Sequence, residues 1–283
     1  MNYYQQDLER AVEAALDEDL RLGPDVTTVT TVDEDASGVA LVVAREPGVI
    51  SGVDAALLAA QKVSERLGKR IKVEKVLDNG ARVSPGDTVL RVEGPIQAIL
   101  TAERTMLNFL GQLSGVATAT ARWVDAVAGT HAKIRDTRKT VPGLRLLQKK
   151  AVVDGGGVNH RMALGDVALI KDNHVAAAGG VKQAFDAVRA KSPEIPIEVE
   201  VDTIEQLHEA IDAGADLILL DNFTPELMRE AVEICRAASV KTEASGGLTL
   251  PDAKAVAASG VDYISIGALT HSSKVLDLGL DLQ

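Results

Sequence analysis

The chain has 283 residues, enough for one large domain or two ordinary ones with a sizeable buried core. Its formal net charge of -11 disfavours nucleic acid or an anionic membrane as the main partner, since both reward positive charge. Hydrophobic residues make up 46% and aromatics only 2%, so a globular core must be built from Ala, Val, Leu and Ile.

Residues 5–19 show helical apolar spacing (Leu8, Ala11, Val12, Ala15, Leu16). Short strand-like runs follow at Ser37–Arg45, Arg70–Val76 and Thr88–Glu93. Turn chemistry separates them at Glu46-Pro47-Gly48, Asp78-Asn79-Gly80 and Ser84-Pro85-Gly86-Asp87. A helix fits Ala55–Leu67 and stops at Gly68. After Pro95 the pattern predicts a long helix to about Leu113, a break at Ser114-Gly115, and a second helix to about Val127.

From Ala132 onward strands and helices alternate. Strands are predicted at Ala132–Asp136, Val167–Lys171, Ile197–Val201, Leu217–Leu220, Lys241–Ala244 and Tyr263–Ile266. Helices fit Leu144–Val153, Val181–Ala190, Ile204–Ala213, Pro225–Ala238 and Pro251–Ala258. Strand, helix, strand in repetition implies parallel strands joined by right-handed crossovers, and about six such units suit a closed or nearly closed barrel. No apolar run reaches the ~18 residues of a membrane span. Residues 1–10 lack a basic stretch followed by an apolar one. The one cysteine, Cys235, falls in a helical run and reads as a buried structural thiol. These features lead us to expect a soluble, cytoplasmic protein.

The chemistry gathers at strand ends. Asp136-Thr137-Arg138-Lys139, Lys171-Asp172-Asn173, Glu198 with Glu200, Asp221-Asn222 and Ser245-Gly246-Gly247 each lie in or directly after a predicted strand. The C-terminal strand ends of a parallel barrel are where such folds place their sites. Between residues 133 and 171, nine Lys and Arg face three Asp, against a strongly acidic background. Lys149 and Lys150 read as a solvated helix face. Arg138, Lys139, Arg161 and Lys171 would repel one another there unless an anion joins them; arginine suits bidentate carboxylate or phosphate recognition. Ser245-Gly246-Gly247 and Gly267-Ala268 follow the last two predicted strands, where backbone N–H groups can approach a phosphate. Each loop alone is equally a plain turn. Glu200 and Asp221 on the same rim suit sugar hydroxyls or a hard cation such as Mg²⁺; the alternative is a structural ion pair with a neighbouring lysine. The five histidines show no paired ligand spacing for zinc.

The runs Asp136-Thr-Arg-Lys-Thr-Val-Pro-Gly-Leu-Arg145, Gly155-Gly-Gly-Val-Asn-His-Arg161 and Leu169-Ile-Lys-Asp-Asn-His174 resemble those of quinolinate phosphoribosyltransferases. The likeness extends to Glu18-Asp19, Asp25-Val-Thr-Thr28, Ala102–Asn108, Glu198–Asp202, Leu219–Asn222, Ser245–Gly247 and Gly267–His271. Small departures are Met162-Ala163, where a nearby Gly is expected, and Lys150, where an aromatic is common. The resemblance implies an N-terminal α/β sandwich-like domain (1–114) and an open, incomplete TIM-like α/β barrel (115–270). A C-terminal tail (271–283) would pack back on the first domain.

It also implies an activity: transfer of the phosphoribosyl group of phosphoribosyl pyrophosphate (PRPP) to quinolinate with decarboxylation, in NAD biosynthesis, with Mg²⁺. By resemblance, Thr137, Arg138, Lys139, His160, Arg161, Lys171 and Arg104 bind quinolinate. Arg104 would reach the site of a neighbouring subunit, making a homodimer or an assembly of dimers. Glu200 and Asp221 would meet ribose or Mg²⁺-pyrophosphate, with Lys139 and Lys171 sharing catalysis. Ser245, Gly246, Gly247, Gly267, Ala268 and His271 would hold the phosphate.

Overall fold

The computed structural model describes residues 3–283 and divides them into two compact units. The first comprises residues up to Ala121 together with Thr140–Gly156 and Ala268–Gln283; the second comprises Arg122–Lys139 and Gly157–Gly267. Where the sequence reading places one boundary after residue 114, contacts cut the long helix at Ala121 and assign residues 140–156 to the first unit.

In the first unit, α1 (Tyr3–Leu20) and α2 (Val26–Thr31) precede β1 (Ser37–Ala44), β2 (Gly48–Val49) and α3 (Val53–Leu67). β3 (Lys72–Lys75), β4 (Arg82–Val83), β5 (Thr88–Pro95) and α4 (Ile96–Ala126) follow. The last strand of the chain, β12 (Leu278–Leu282), pairs antiparallel with β1 and completes a four-stranded sheet in the order β12-β1-β5-β3. α1 buries Leu8, Val12 and Leu16 at four-residue spacing. Each such full burial contributes about 1.5–3 kcal/mol. They meet α3, whose buried face is Ala55, Ala56, Ala59, Ala60 and Val63, small enough for close helix approach. α2 escaped the sequence reading because its six residues, VTTVTT, have little helix propensity; the Asp25 side chain caps it by accepting from Thr28 N–H at 3.0 Å.

The expected break at Ser114-Gly115 does not occur: α4 runs unbroken through both residues. Ser114 is buried, and its hydroxyl accepts from the Ser51 N–H at 2.9 Å instead of competing for its own backbone. A Cβ on Gly115 would collide with the Lys274 carbonyl, so this glycine serves close packing. The reading of Lys149 as solvated also fails. α5 (Arg145–Asp154) turns Lys149 inward, leaving it 1% exposed, while Lys150 pairs with Asp154 at 3.0 Å.

The second unit contains β6 (Lys133–Arg135), β7 (Ala168–Ile170), α6 (Asp172–Ala178) and α7 (Val181–Lys191). β8 (Ile197–Val201), α8 (Ile204–Ala213), β9 (Leu217–Asp221) and α9 (Pro225–Ala237) come next. β10 (Lys241–Ser245), α10 (Ala253–Ala258) and β11 (Tyr263–Ser265) complete it, before α11 (Ala268–His271) in the first unit. All its strands are parallel, in the order β6-β11-β10-β9-β8-β7. That order goes round a ring and leaves one seam, between β6 and β7, which is the expected open barrel. On the seam side of β6 a single bridge joins Arg135 to Val158, with Val158 N–H donating to Ile134 carbonyl at 2.8 Å. Outward residues such as Val199, Ile218 and Leu220 are fully buried, as parallel strands covered on both faces require. No helix among the described residues is long and apolar enough to cross a membrane.

Candidate active site

Side chains alternate along a strand, so every second residue faces the barrel interior. Register then sets the inward set: Leu169 and Lys171, Glu198 and Glu200, Leu219 and Asp221, Glu243 and Ser245, Ser265, and Arg135 with Thr137. Around them lies a cavity of about 290 Å³ within the second unit. Its lining includes Thr137, Arg138, Lys139, His160, Arg161, Lys171 and Ser245, all identified from the sequence. Leu169 and Leu219 give it an apolar wall suited to a ring. Glu243 and Ser265 also line it and were not foreseen, because a single acid or serine inside an apolar strand carries no motif.

Arg138 and Arg161 approach closely enough that each charge opposes the other. Arg161 is made less basic first by its burial and then by the Arg138 charge. The Arg161 guanidinium donates to the Val167 carbonyl at 3.1 Å, and the buried Nε of Arg138 has no hydrogen-bond partner. Two half-buried guanidinium groups side by side suit bidentate recognition of an anion. The segment carrying Arg161 is fastened from below: the fully buried Asp136 accepts from the His160 N–H at 2.9 Å. Beyond Arg161, the Asp166 carboxylate accepts from Met162 and Ala163 N–H, which closes the loop where the sequence departs from the family pattern. On the other strand of the seam pair, Lys139 is exposed, with its N–H donating to Thr137 Oγ1 at 3.0 Å.

Lys171 follows β7 as the residue preceding α6, and its ammonium pairs with Glu200. Asp221 ends β9 half-buried; burial first and the Asp202 charge second raise its carboxyl above the usual range, against Lys171 and Lys139. Its carboxylate accepts from the Asn222 side-chain amide at 2.7 Å. Asn222 has a positive φ of 57°, and its N–H donates to the Ser245 carbonyl, which ties the β9 and β10 ends together. Gly246 (φ 97°) follows β10, where a Cβ would lie 2.7 Å from the Asn222 nitrogen. Gly247 (φ 55°) is exposed with open space beside it. Gly267 closes the second unit, whereas Ala268 and His271 bound the short α11, and the His271 ring meets Ser272 Oγ at 2.6 Å. Arg104 is exposed on α4 in the first unit, beside a groove of about 780 Å³.

Below the cavity lies a cluster that sequence reading missed. Glu198, read as a rim residue, is 1% exposed, and Glu243 is fully buried. Burial pushes Glu198 up to about 7, opposed by Arg135, and it also raises Glu243. Arg135, read as part of an uncompensated cluster, is instead ion-paired to Glu243.

The chain matches the family described as Quinolinate phosphoribosyl transferase, N-terminal domain, over residues 25–114, and the corresponding C-terminal domain over residues 116–281. It is 54% identical to the nicotinate-nucleotide pyrophosphorylase [carboxylating] of Mycobacterium leprae, over 96% of this chain and 95% of that protein. The solved nicotinate-nucleotide pyrophosphorylase of Francisella tularensis superposes with a TM-score of 0.93 at 38% identity, covering 98% of this chain and 96% of that one. That of Ehrlichia chaffeensis gives 0.90 at 35% identity, with 97% and 98% covered. With both domain families matched along nearly its whole length, the chain belongs to the quinolinate phosphoribosyltransferase family.

Proposed function

We propose that this enzyme transfers the phosphoribosyl group of PRPP to the ring nitrogen of quinolinate, releasing pyrophosphate and CO₂ and forming nicotinate mononucleotide. The observation that carries the reading is the pairing of half-buried Arg138 and Arg161 in one cavity with the Lys171–Glu200 pair. A dicarboxylate satisfies the two arginines and Lys139, while Leu169 and Leu219 flank its ring. Thr137 supplies a hydroxyl at the same rim. The phosphorylated sugar lies over Glu200 and Asp221, with its 5-phosphate toward Ser245, Gly246, Gly247, Gly267, Ala268 and His271.

Glu200 and Asp221 stabilise positive charge as it develops on the ribosyl carbon, and Lys171 sits between the two substrates. The oxygens of Glu200 and Asp221 are a hard donor set, and Asp202 and Asp172 add negative charge beside Asp221, which fits Mg²⁺ held together with pyrophosphate. When bound, Mg²⁺ offsets charge on the departing pyrophosphate. After ribosylation the positive pyridinium nitrogen stabilises the carbanion that CO₂ loss leaves on the adjacent ring carbon, and a proton from solvent takes the place of the carboxylate there, so the protein contributes chiefly positioning and charge complementarity.

In this reading the exposed Arg104 serves the active site of a second copy, and the functional unit is a homodimer or an assembly of dimers. The acidic composition and single cysteine suit a cytoplasmic enzyme. The test is CO₂ release and nicotinate mononucleotide formation from quinolinate and PRPP, with nicotinate as the control base. Turnover of quinolinate alone supports the reading; turnover of nicotinate alone overturns it.

A further inference from the structure

Glu198, which does not line the cavity, joins two residues that do, His160 and Glu243, in a buried polar cluster that the chemistry above does not use. Glu198, Glu243 and His160 are all buried, with one ligating atom of each within 4.8 Å of the others. Neither Glu198 oxygen receives a well-aligned hydrogen bond, and the His160 ring nitrogen approaches it at 3.1 Å. A buried carboxylate in that state opposes folding, so stability does not account for it. The Arg135 guanidinium engages Glu243 and stacks 4.2 Å above the Tyr263 ring, and the Ser265 hydroxyl donates to the other Glu243 oxygen. The Arg135 cation thus offsets the buried Glu243 charge.

The ring of His160 connects this floor to the site. Its Nδ1 receives the Arg161 backbone N–H at 2.6 Å. A backbone N–H can only donate, so Nδ1 is the acceptor and the ring proton lies on Nε2. Nε2 faces downward, 3.1 Å from Glu198 and 3.5 Å from Glu243. Both ring nitrogens are therefore turned to protein groups, and through them the floor reaches the backbone of Arg161. The same loop is also held by the Asp136 carboxylate, the bridge at Val158, the Arg161 contact with the Val167 carbonyl and the Asp166 carboxylate.

We propose that Glu198 and Glu243 are positioning residues that, acting through the His160 ring, hold Arg161 where it grips a carboxylate of the acceptor substrate. His160 itself is then a link in that chain and not a direct carboxylate ligand. The inference rests on the dicarboxylate reading of the cavity, but its first test does not. In ¹⁵N NMR of the free enzyme, with His160→Asn used for assignment, the His160 ring should show a bare Nδ1 and a protonated Nε2. The opposite tautomer would overturn the proposal whatever the enzyme's substrate.

The second test is kinetic. Glu198→Gln and Glu243→Gln should raise the quinolinate KM on the order of tenfold while leaving the PRPP KM unmoved. In an Arg161→Ala background, Glu198→Gln should add no further rise, because both changes act on one element. A quinolinate KM unchanged by Glu198→Gln, equal rises in both KM values, or full additivity would each overturn it. Glu198→Gln keeps shape and removes a buried charge, so it should fold even if Glu243→Gln does not. Wild-type turnover of quinolinate checks the underlying reading separately.

Discussion

Lys171 and Glu200 form an ion pair across the carboxyl ends of adjacent strands, one residue beyond the register pair Ile170–Val199. The sequence left open whether Glu200 serves the substrate or balances a lysine, and the structure pairs it with Lys171. A phosphoribosyl donor would exchange one partner for another instead of filling a vacant carboxylate. Lys171→Ala and Glu200→Gln should each lower kcat/KM by about 1.5–3 kcal/mol, roughly 10- to 150-fold. Lys171 is 41% exposed in its side chain, so the melting temperature should barely move. Steady-state kinetics beside thermal melts checks both halves, and a large loss of stability would mark the pair as structural.

Arg138→Ala and Arg161→Ala should each raise the quinolinate KM and cut kcat through loss of a charge-assisted contact of about 1.5–3 kcal/mol. Burial and the neighbouring Arg138 charge both work against the Arg161 cation, so Arg161→Ala should leave stability equal or slightly higher. Denaturant midpoints measured beside the kinetics would show this, and unchanged kinetics in a folded variant would sink the assignment.

Gly246→Ala places a Cβ 2.7 Å from the Asn222 nitrogen at a φ of 97°, a position that side chains rarely adopt. Strain of about 1–3 kcal/mol should appear as loss of stability or as a shifted β10 loop. A raised PRPP KM with normal quinolinate KM identifies the loop with the phosphate. Equal effects on both substrates would argue against that division.

Buried Cys235 is pushed up to about 11 from 9.0, first by desolvation and then by the Asp262 charge. The folded chain therefore keeps its thiol proton where the unfolded chain has lost it. Stability from this group is intact below about pH 9 and falls as pH rises toward 11, by about 2–3 kcal/mol in all. Urea unfolding of the wild type and Cys235→Ala at pH 7.5 to 10.5 should show the steeper decline in the wild type. Thiol reagents should leave the native protein unmodified at pH 8.

If sites are shared between copies, Arg104→Ala mixed with Lys171→Ala should regain activity, since one mixed site then holds both wild-type residues. No recovery, with exchange of subunits demonstrated, would place Arg104 outside the site.

Much of the site could be read in the sequence because barrel chemistry is written at strand ends. Asp136–Lys139, Lys171, Glu200, Asp221 and Ser245 each follow or end an apolar run, and all lie at or beside the inward rim. The errors share a cause. Lys149 looked solvated because charge usually is, but on α5 it is 1% exposed. Ser114-Gly115 looked like a helix break because local propensity favours one, whereas Ser51 and Lys274, distant in sequence, supply the partners that keep α4 continuous.

The sequence alone determined the alternation of strands and helices in the second unit, the parallel barrel and the cationic character of the pocket, because periodicity and strand-end composition are local properties. Tertiary structure alone decided which charges remain available to a ligand. Arg135 and Arg138 stand three residues apart and look alike in sequence. Strand register sets Arg135 against Glu243 beneath the cavity, and the turn after β6 leaves Arg138 at its wall. Pairing across strands depends on which residues meet in space, and no local pattern records that.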